Sequence, residues 1–225
     1  MNLFLKIFRL LPPEIAHKIA LDLLSLSHRL GILSFIFRKP NDQSCSFAGM
    51  NLSNRLGTAA GLDKNGDYID CLGALGFGFL EVGTVTPMPQ YGNPKPRVFR
   101  NFNENSIINR LGFNNGGVDR LIKNLRTRSF EGILGVNVGA NKNSKGDERI
   151  NDYLHCIEKV HKYADYITVN VSSPNTPNLR NLQSDENLVD LVTKVDKLVN
   201  KQKIKIPLFL KISPDESNTI IEDII

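Results

Sequence analysis

The sequence predicts an α/β protein in which parallel strands alternate with helices, as in a (β/α)8 barrel. Short apolar segments recur along the chain, with helix-length segments between most of them. Residues 133–136 (Ile-Leu-Gly-Val) are apolar without alternation, which is typical of a parallel sheet covered on both faces. The Gly76-Phe77-Gly78 segment precedes a strand instead of following one, so a barrel is favoured over an open dinucleotide-binding sheet.

Five segments of the chain have the composition of strands, and they lie at residues 56–60, 79–83, 133–137, 166–171 and 207–212. Helix-length segments between them include 68–75, 151–163 and 186–201. These make about five β/α units, whereas a complete (β/α)8 barrel has eight and typically about 250 residues. We therefore expect residues 41–225 to form the N-terminal part of such a barrel.

Residues 1–40 predict an amphipathic helical extension. Pro12-Pro13 can open a helix and Gly31 can end it, and one face carries apolar residues at three- and four-residue spacing, namely Ile15, Ile19, Leu23, Leu26 and Leu30. Charged residues interrupt every apolar run, so neither a membrane span nor a secretory signal is expected. Two interpretations remain: the apolar face packs on its own domain, which is the commoner case, or it dips into a membrane surface.

Composition and charge exclude several classes of protein. A chain of 225 residues with 41% hydrophobic residues is long enough for one sizeable core and is neither disordered nor fibrous. The net charge of +5 is spread along the chain, as on a solvated surface, so no nucleic-acid partner is expected. Cys45, Cys71 and Cys156 are far apart, so we expect a reducing compartment, with no metal site and no disulfide framework.

Polar residues follow the predicted strands at their carboxyl ends: Lys64, Thr84, Asn137, Asn170 with Ser173, and Lys211. Because these ends form one mouth in a barrel, the sequence predicts a single site for a small polar, planar or anionic ligand. Pro174 and Pro177 restrict the loop that presents Ser173 and Asn175. Each residue alone has a structural alternative, such as a satisfied loop amide for Asn137.

Four long motifs, at residues 59–64, 81–97, 109–115 and 170–177, resemble those of dihydroorotate dehydrogenases, in particular the quinone-linked class 2. The resemblance implies an FMN-containing barrel that oxidises dihydroorotate to orotate in pyrimidine biosynthesis. Soluble class 1 enzymes lack the N-terminal extension and carry Cys in place of Ser173, so a membrane quinone is the expected electron acceptor. The alternatives are a soluble class 1-like flavoenzyme and a truncated non-catalytic remnant that binds a membrane surface.

The resemblance also implies roles for individual residues. Ser173 is the expected catalytic base, which takes the proton from C5 of dihydroorotate. The expected FMN contacts are Ala60, Gly61, Leu62, Asp63, Lys64, Thr84, Asn137, Asn170 and Lys211. The expected substrate contacts are Lys64, Asn109, Arg110, Leu111, Gly112, Phe113, Asn170 and Asn175.

For residues 1–40 the resemblance implies a membrane-facing segment through which quinone reaches FMN. His17 and Arg100 fall at the family's quinone site, with surface or capping roles as the alternatives. A peripheral protein on the cytoplasmic side of the cell membrane is expected. The family needs about half as much chain again, including the turns that hold the FMN phosphate. We therefore expect the given chain by itself to bind FMN poorly and to aggregate.

Overall fold

The structure is a computed structural model that describes residues 8–37, 44–175, 185–215 and 221. Its helices are α1 (Pro13–Arg29), α2 (Leu33–Ile36), α3 (Ile69–Gly73), α4 (Val118–Thr127), α5 (Asp147–Val160) and α6 (Asp185–Gln202). Its strands are β1 (Cys45–Phe47), β2 (Met50–Leu52), β3 (Phe79–Val85), β4 (Val98–Asn101), β5 (Ser106–Asn109), β6 (Ile133–Val138), β7 (Tyr166–Asn170) and β8 (Leu208–Lys211).

Strands β3, β6, β7 and β8 form a parallel sheet in that order, and crossover helices connect them. Four of the five predicted strands are therefore confirmed. The prediction of a strand at residues 56–60 was wrong, since this segment makes only the bridge between Gly57 and Phe79. The Glu81 N–H donates to the Thr58 hydroxyl at 3.0 Å, so a side chain takes the place of a backbone carbonyl beside β3.

Two antiparallel hairpins, β1–β2 and β4–β5, were not predicted. Their strands have only three or four residues each, too few for alternation to stand out in the sequence. Phe47 of the first hairpin stacks on Phe209 of β8, with 5.7 Å between ring centroids. Tyr166 meets the same ring edge-on at 5.5 Å. The β1–β2 hairpin therefore packs on an aromatic cluster toward the amino ends of the strands.

The two faces of the parallel sheet differ in polarity. Alternate residues such as Leu80, Val136 and Ile167 pack in the main core with side chains of α4, α5 and α6. Burial of each such side chain contributes about 1.5–3 kcal/mol. The residues between them, among them Glu81 and Thr168, are hydrogen-bonded to each other on the opposite face. The helix-facing side of the sheet supplies the apolar core. The opposite side carries polar side chains, which continue toward the carboxyl ends of the strands.

Helix α1 begins at Pro13, where the missing proline N–H costs nothing, and the chain leaves it through Gly31 at φ +72°. The predicted helix is confirmed, but the interpretation that its apolar stripe packs on the domain was wrong. The stripe side chains are 37–64% exposed: Ile15, Ile19, Leu23, Leu26 and Leu30. Ala16 and Leu21 are buried instead. Within the described residues, no helix is long and apolar enough to span a membrane.

Polar contacts decide which face of α1 meets the domain. The guanidinium of Arg97, which is only 5% exposed, donates to the Glu14 carboxylate from Nε at 3.0 Å and Nη2 at 2.7 Å. Its Nη1 donates to the backbone carbonyl of Asn93 at 3.1 Å. Tyr68 donates its hydroxyl to Asp22 at 2.7 Å. These contacts hold α1 by one side and leave its apolar stripe outside.

We expect Glu14→Ala to lower the free energy of unfolding by about 2–3 kcal/mol, because it leaves the buried Arg97 guanidinium without its carboxylate. Asp119→Ala is the control, since it removes an exposed ion pair with Lys159 and should cost less than about 1 kcal/mol. Urea unfolding of both variants measures the difference. Equal losses in the two variants would contradict the anchoring role of Glu14.

The same ion pair predicts a pH dependence. The hydrogen bond from Arg97 lowers the pKa of Glu14 below its ordinary value of 4.5. A carboxylate whose pKa is lowered by folding stabilises the fold above its unfolded pKa, and this contribution is lost as the pH falls through the folded pKa. Wild-type stability should therefore fall in acid more steeply than that of Glu14→Ala, as measured by urea unfolding between about pH 6 and pH 3.

Candidate active site

A cleft of about 610 Å³ lies at the carboxyl ends of the parallel strands. Most of the predicted site residues line it, namely Ala60, Gly61, Lys64, Thr84, Asn109, Leu111, Gly112, Phe113, Asn170, Ser173, Asn175 and Lys211. The structure therefore brings together, around one space, residues that the sequence spreads over more than half of its length.

Four of the predicted FMN and substrate contacts do not line the cleft. Asp63 is buried and accepts backbone N–H groups of Asp67 and Tyr68, which fixes the turn before α3. Leu62 packs against the core. Arg110 is exposed and donates to the Pro96 carbonyl at 3.0 Å. Asn137 lies beneath the cleft and reaches it only through its neighbours.

A buried group of three side chains underlies the cleft. Thr84 donates its hydroxyl to Asn137 Oδ1 at 2.6 Å, and Asn170 Nδ2 donates to both partners at 3.1 Å. The β3–β6 pairing shifts register between Val82 and Val85, and this irregularity turns Thr84 to the same side as Asn137. The three side chains are almost fully buried and are hydrogen-bonded to one another.

Glu81 lies on the same face of the sheet and receives three hydrogen bonds. Its carboxylate accepts from Asn137 Nδ2 at 2.9 Å, from the Thr168 hydroxyl at 3.0 Å and from the Tyr166 hydroxyl at 3.1 Å. Burial, and then the Glu81 charge, raise the pKa of Tyr166 far above its usual range, so the phenol stays a donor. An ionised carboxylate only accepts, so Asn137 must turn its oxygen toward Thr84 and Asn170.

Lys64 brings a positive charge to the cleft. Its ammonium donates to the Gly61 carbonyl at 3.0 Å. Burial lowers the pKa of Lys64 most, the nearby Arg97 lowers it further, and Glu14 and Asp63 oppose both effects. Lys211 adds an exposed ammonium at the end of β8. Two lysines beside one cleft favour an anionic ligand.

The loop after β7 is tied to the strand that it follows. Asn170 Oδ1 accepts the N–H and the hydroxyl of Ser172 at 3.1 and 2.8 Å, and the Ser173 hydroxyl accepts the N–H of Asn175 at 3.3 Å. Asn93 donates to the Asn175 carbonyl at 3.3 Å, which connects this loop to the one after β3. Ser173 and Asn175 are thereby set at the edge of the cleft, whereas residues 176–177 of the predicted loop lie outside the described residues.

His17 and Arg100 do not line the cleft but lie on its α1 side. Arg100 donates from Nη1 to the carbonyls of Arg9 and Leu11, at 3.1 and 2.7 Å. Partial removal from water and then the Lys64 ammonium lower the pKa of His17, against a hydrogen bond to the Leu62 backbone. His17 therefore lies near Leu62 and Lys64, on the helix that carries the exposed stripe.

Sequence reasoning missed Glu81 and Gln90 as parts of this site. A carboxylate in an otherwise apolar strand was a usable signal for Glu81. Gln90 lies in the motif at residues 81–97, but its role could not be inferred from that motif, because its partners lie in loops 22 to 52 residues away.

The dihydroorotate dehydrogenase family model matches residues 43–225. The chain is 50% identical over 217 residues to dihydroorotate dehydrogenase (quinone) of Buchnera aphidicola subsp. Schizaphis graminum, and 48% identical over 216 residues to the protein of that name from Acinetobacter baylyi. It superposes on ligand-free type DHODH from Eimeria tenella with a TM-score of 0.81 and 33% identity, over 94% of this chain and 64% of that one. The chain belongs to the dihydroorotate dehydrogenase family.

Membership of the dihydroorotate dehydrogenase family confirms the resemblance seen in the motifs and the predicted barrel class. The parallel sheet and its crossover helices are part of a (β/α)8 barrel. Both curated alignments cover 94% of this chain, which spans about 64% of those relatives' length. This share agrees with the expectation of about five β/α units.

The buried group beneath the cleft predicts a stability difference between two substitutions at one position. Thr84→Val keeps the shape of the side chain but removes the hydroxyl that donates to Asn137 and accepts from Asn170. We therefore expect it to cost about 2 kcal/mol of unfolding free energy. Thr84→Ser keeps the hydroxyl and should cost about 1 kcal/mol or less. Urea unfolding compares them, and equal losses would show that the hydroxyl contributes nothing.

Proposed function

We propose that this chain carries most of the substrate-binding side of a quinone-dependent dihydroorotate dehydrogenase, which oxidises dihydroorotate to orotate in pyrimidine biosynthesis. The observation that carries the proposal is the convergence of Lys64, Asn109, Asn170, Ser173 and Asn175 on one cleft. The chain's identity of about half to curated relatives of that name supports it.

Enzymes of this family are flavoproteins, and we assign FMN to the cleft. Gly61 fits this assignment, because it has φ +105° and a Cβ built on it would have no protein atom within 4 Å. Ala60 is equally small, so backbone can approach a flat ring here. We assign the backbone of Leu62 and Asp63 to the same contact with the ring. The side chains assigned to FMN contacts are those of Lys64, Thr84, Asn170 and Lys211. Asn137 supports them through its hydrogen bonds with Thr84 and Asn170. When bound, FMN supplies the hydride acceptor, and the Lys211 ammonium favours negative charge beside it.

Dihydroorotate is an anion with amide groups in its ring, and the cleft offers matching partners. Lys64 supplies positive charge, while Asn109, Asn170 and Asn175 can each donate and accept hydrogen bonds. Asn175 Nδ2 already points to Asn109 Oδ1 at 3.5 Å, so the two amides are close enough to hold one small ligand. We assign the backbone of Arg110, Leu111, Gly112 and Phe113 to the same ligand, because most of it lines the cleft.

Ser173 is the base in this proposal and takes the proton from C5 of dihydroorotate. A serine hydroxyl is a weak base, so it must be held in place and kept from bulk water. The Asn175 N–H, at 3.3 Å from Ser173 Oγ, and Pro174 between them provide the positioning. Positioned proton transfer contributes about 10²- to 10⁴-fold to the rate.

We assign the exposed stripe of α1, with Phe35 and Ile36 of α2, to the surface of a membrane. Arg9, Lys18 and Arg29 lie on the same segment and can meet anionic head groups. Quinone then approaches the cleft from this side, past His17 and Arg100. The protein is peripheral in this proposal and lies on the cytoplasmic side of the cell membrane.

Ser173→Ala tests the proposed base in the protein expressed from its own gene. We expect the bound flavin content to stay unchanged and anaerobic flavin reduction by dihydroorotate to slow by about 10²-fold or more, since only proton removal is lost. Ser34→Ala on α2 is the control and should keep the wild-type rate. A normal rate in Ser173→Ala would refute the base, and a wild-type protein without flavin or turnover would favour the non-catalytic alternative.

A double substitution tests the membrane surface. Leu26→Glu with Phe35→Glu places two charges on exposed positions, so the fold should remain while co-sedimentation with anionic lipid vesicles is lost. Val189→Glu, at an exposed position of α6, is the matched control and should leave vesicle binding unchanged. Vesicle binding that survives the double substitution would refute the assignment.

A further inference from the structure

Gln90, in the loop after β3, lies behind the wall of the cleft. Its Nε2 donates to the carbonyls of Gly112 at 3.2 Å and Phe113 at 3.1 Å. Its Oε1 accepts Nδ2 of Asn141 at 2.9 Å and the N–H of Lys142 at 3.0 Å. The full hydrogen-bonding capacity of this amide is therefore used. The side chain joins three loops, which follow β3, β5 and β6.

The orientation of the Gln90 amide is fixed from both directions. Two donors meet Oε1, so only Nε2 can face the two carbonyls. Asn141 cannot turn over, because its own Oδ1 accepts the Met88 N–H at 3.0 Å while its Nδ2 donates to the Met88 carbonyl at 2.9 Å. The Gln90 backbone is held as well, by a two-way antiparallel bridge to Asn115 at 3.0 Å in each direction.

The carbonyls that Gln90 holds belong to two successive residues in left-handed conformations. Gly112 has φ +70° and Phe113 has φ +52°. In a trans peptide the N–H points opposite to the C=O of the same unit, so the N–H groups of Phe113 and Asn114 turn away from Gln90. Gly112 and Phe113 line the cleft, whereas Gln90 does not.

The two N–H groups therefore turn toward the cleft side of the loop. No acceptor for either group is found among the described residues. Neighbouring amide N–H groups turned to one side form a concavity that binds anions.

We propose that Gln90 is a positioning residue, which holds the Gly112 and Phe113 carbonyls so that the next two N–H groups meet the carboxylate of dihydroorotate. Gln90 acts through the loop and does not touch the substrate. The inference rests on the proposed function, which supplies the anionic ligand. Because the carboxylate does not change during the reaction, loss of this positioning weakens ground state and transition state alike, so KM rises while kcat per bound flavin stays constant.

Gln90→Glu is the decisive variant, measured in the protein expressed from its own gene. It keeps the size and the acceptor but turns a second carboxylate oxygen toward the two carbonyls. We expect KM for dihydroorotate to rise at least about tenfold at neutral pH, with kcat per bound flavin within about twofold. A protonated carboxyl can donate again, so KM should return toward the wild-type value as the pH falls to about 5. Gln202→Glu, the same change at a glutamine that bonds Glu158 on the surface, is the control.

Gln90→Met removes the hydrogen bonds without adding charge and covers the case in which Gln90→Glu does not fold. It should raise KM without recovery in acid. A KM within about twofold of wild type in the folded variant overturns the proposal, whatever happens to kcat.

Hydrogen–deuterium exchange of residues 109–116 separates this inference from the proposed function. Faster exchange in the variants supports the positioning role of Gln90 even if the wild-type protein fails to oxidise dihydroorotate. In that case the proposed function falls and the anion is a different one. Unchanged exchange overturns the positioning role of Gln90 even if the wild-type protein is active.

Discussion

The carboxylate of Glu81 sets the direction of the hydrogen bonds beneath the cleft. Moving this charge from water into the sheet is unfavourable unless donors surround it, and Asn137, Tyr166 and Thr168 supply them. Because Glu81 only accepts, Asn137 presents its oxygen upward, Asn170 must donate to that oxygen, and the oxygen of Asn170 is left for the N–H and hydroxyl of Ser172. The orientation of the amide that borders the Ser173 loop thus originates at the half-buried carboxylate of Glu81 on β3.

The Arg97–Glu14 ion pair decides which side of α1 stays exposed. The apolar stripe of α1 would bury favourably against the domain, yet the Arg97–Glu14 pair and the Tyr68–Asp22 hydrogen bond orient the helix the other way. Arg97 cannot release Glu14 cheaply, because its guanidinium would then be buried without a carboxylate. The same guanidinium lowers the pKa of Lys64. Helix placement and cleft electrostatics therefore share one residue.

The sequence predicts what local patterns determine. Continuous apolar segments identified β3, β6, β7 and β8, and placement at strand ends grouped Lys64, Thr84, Asn170 and Ser173 correctly around one cleft. Periodicity gave the apolar face of α1 but not what that face meets, because Glu14 and Arg97 are 83 residues apart. The segment at 56–60 has strand composition, but Thr58 bonds to β3 through its side chain, and composition does not report that.

The geometry of the loop at 109–115 could not be inferred from the residues of that loop alone. A left-handed conformation costs a non-glycine residue about 1–2 kcal/mol, so Phe113 would not keep φ +52° without support. Its carbonyl receives Gln90 at 3.1 Å and Asn115 at 2.7 Å, and each neutral hydrogen bond contributes about 1 kcal/mol. The two bonds are enough to offset the strain, but neither has much surplus. The cleft wall is consequently a property of three loops together, and a change at Gln90 reaches the cleft although Gln90 does not line it.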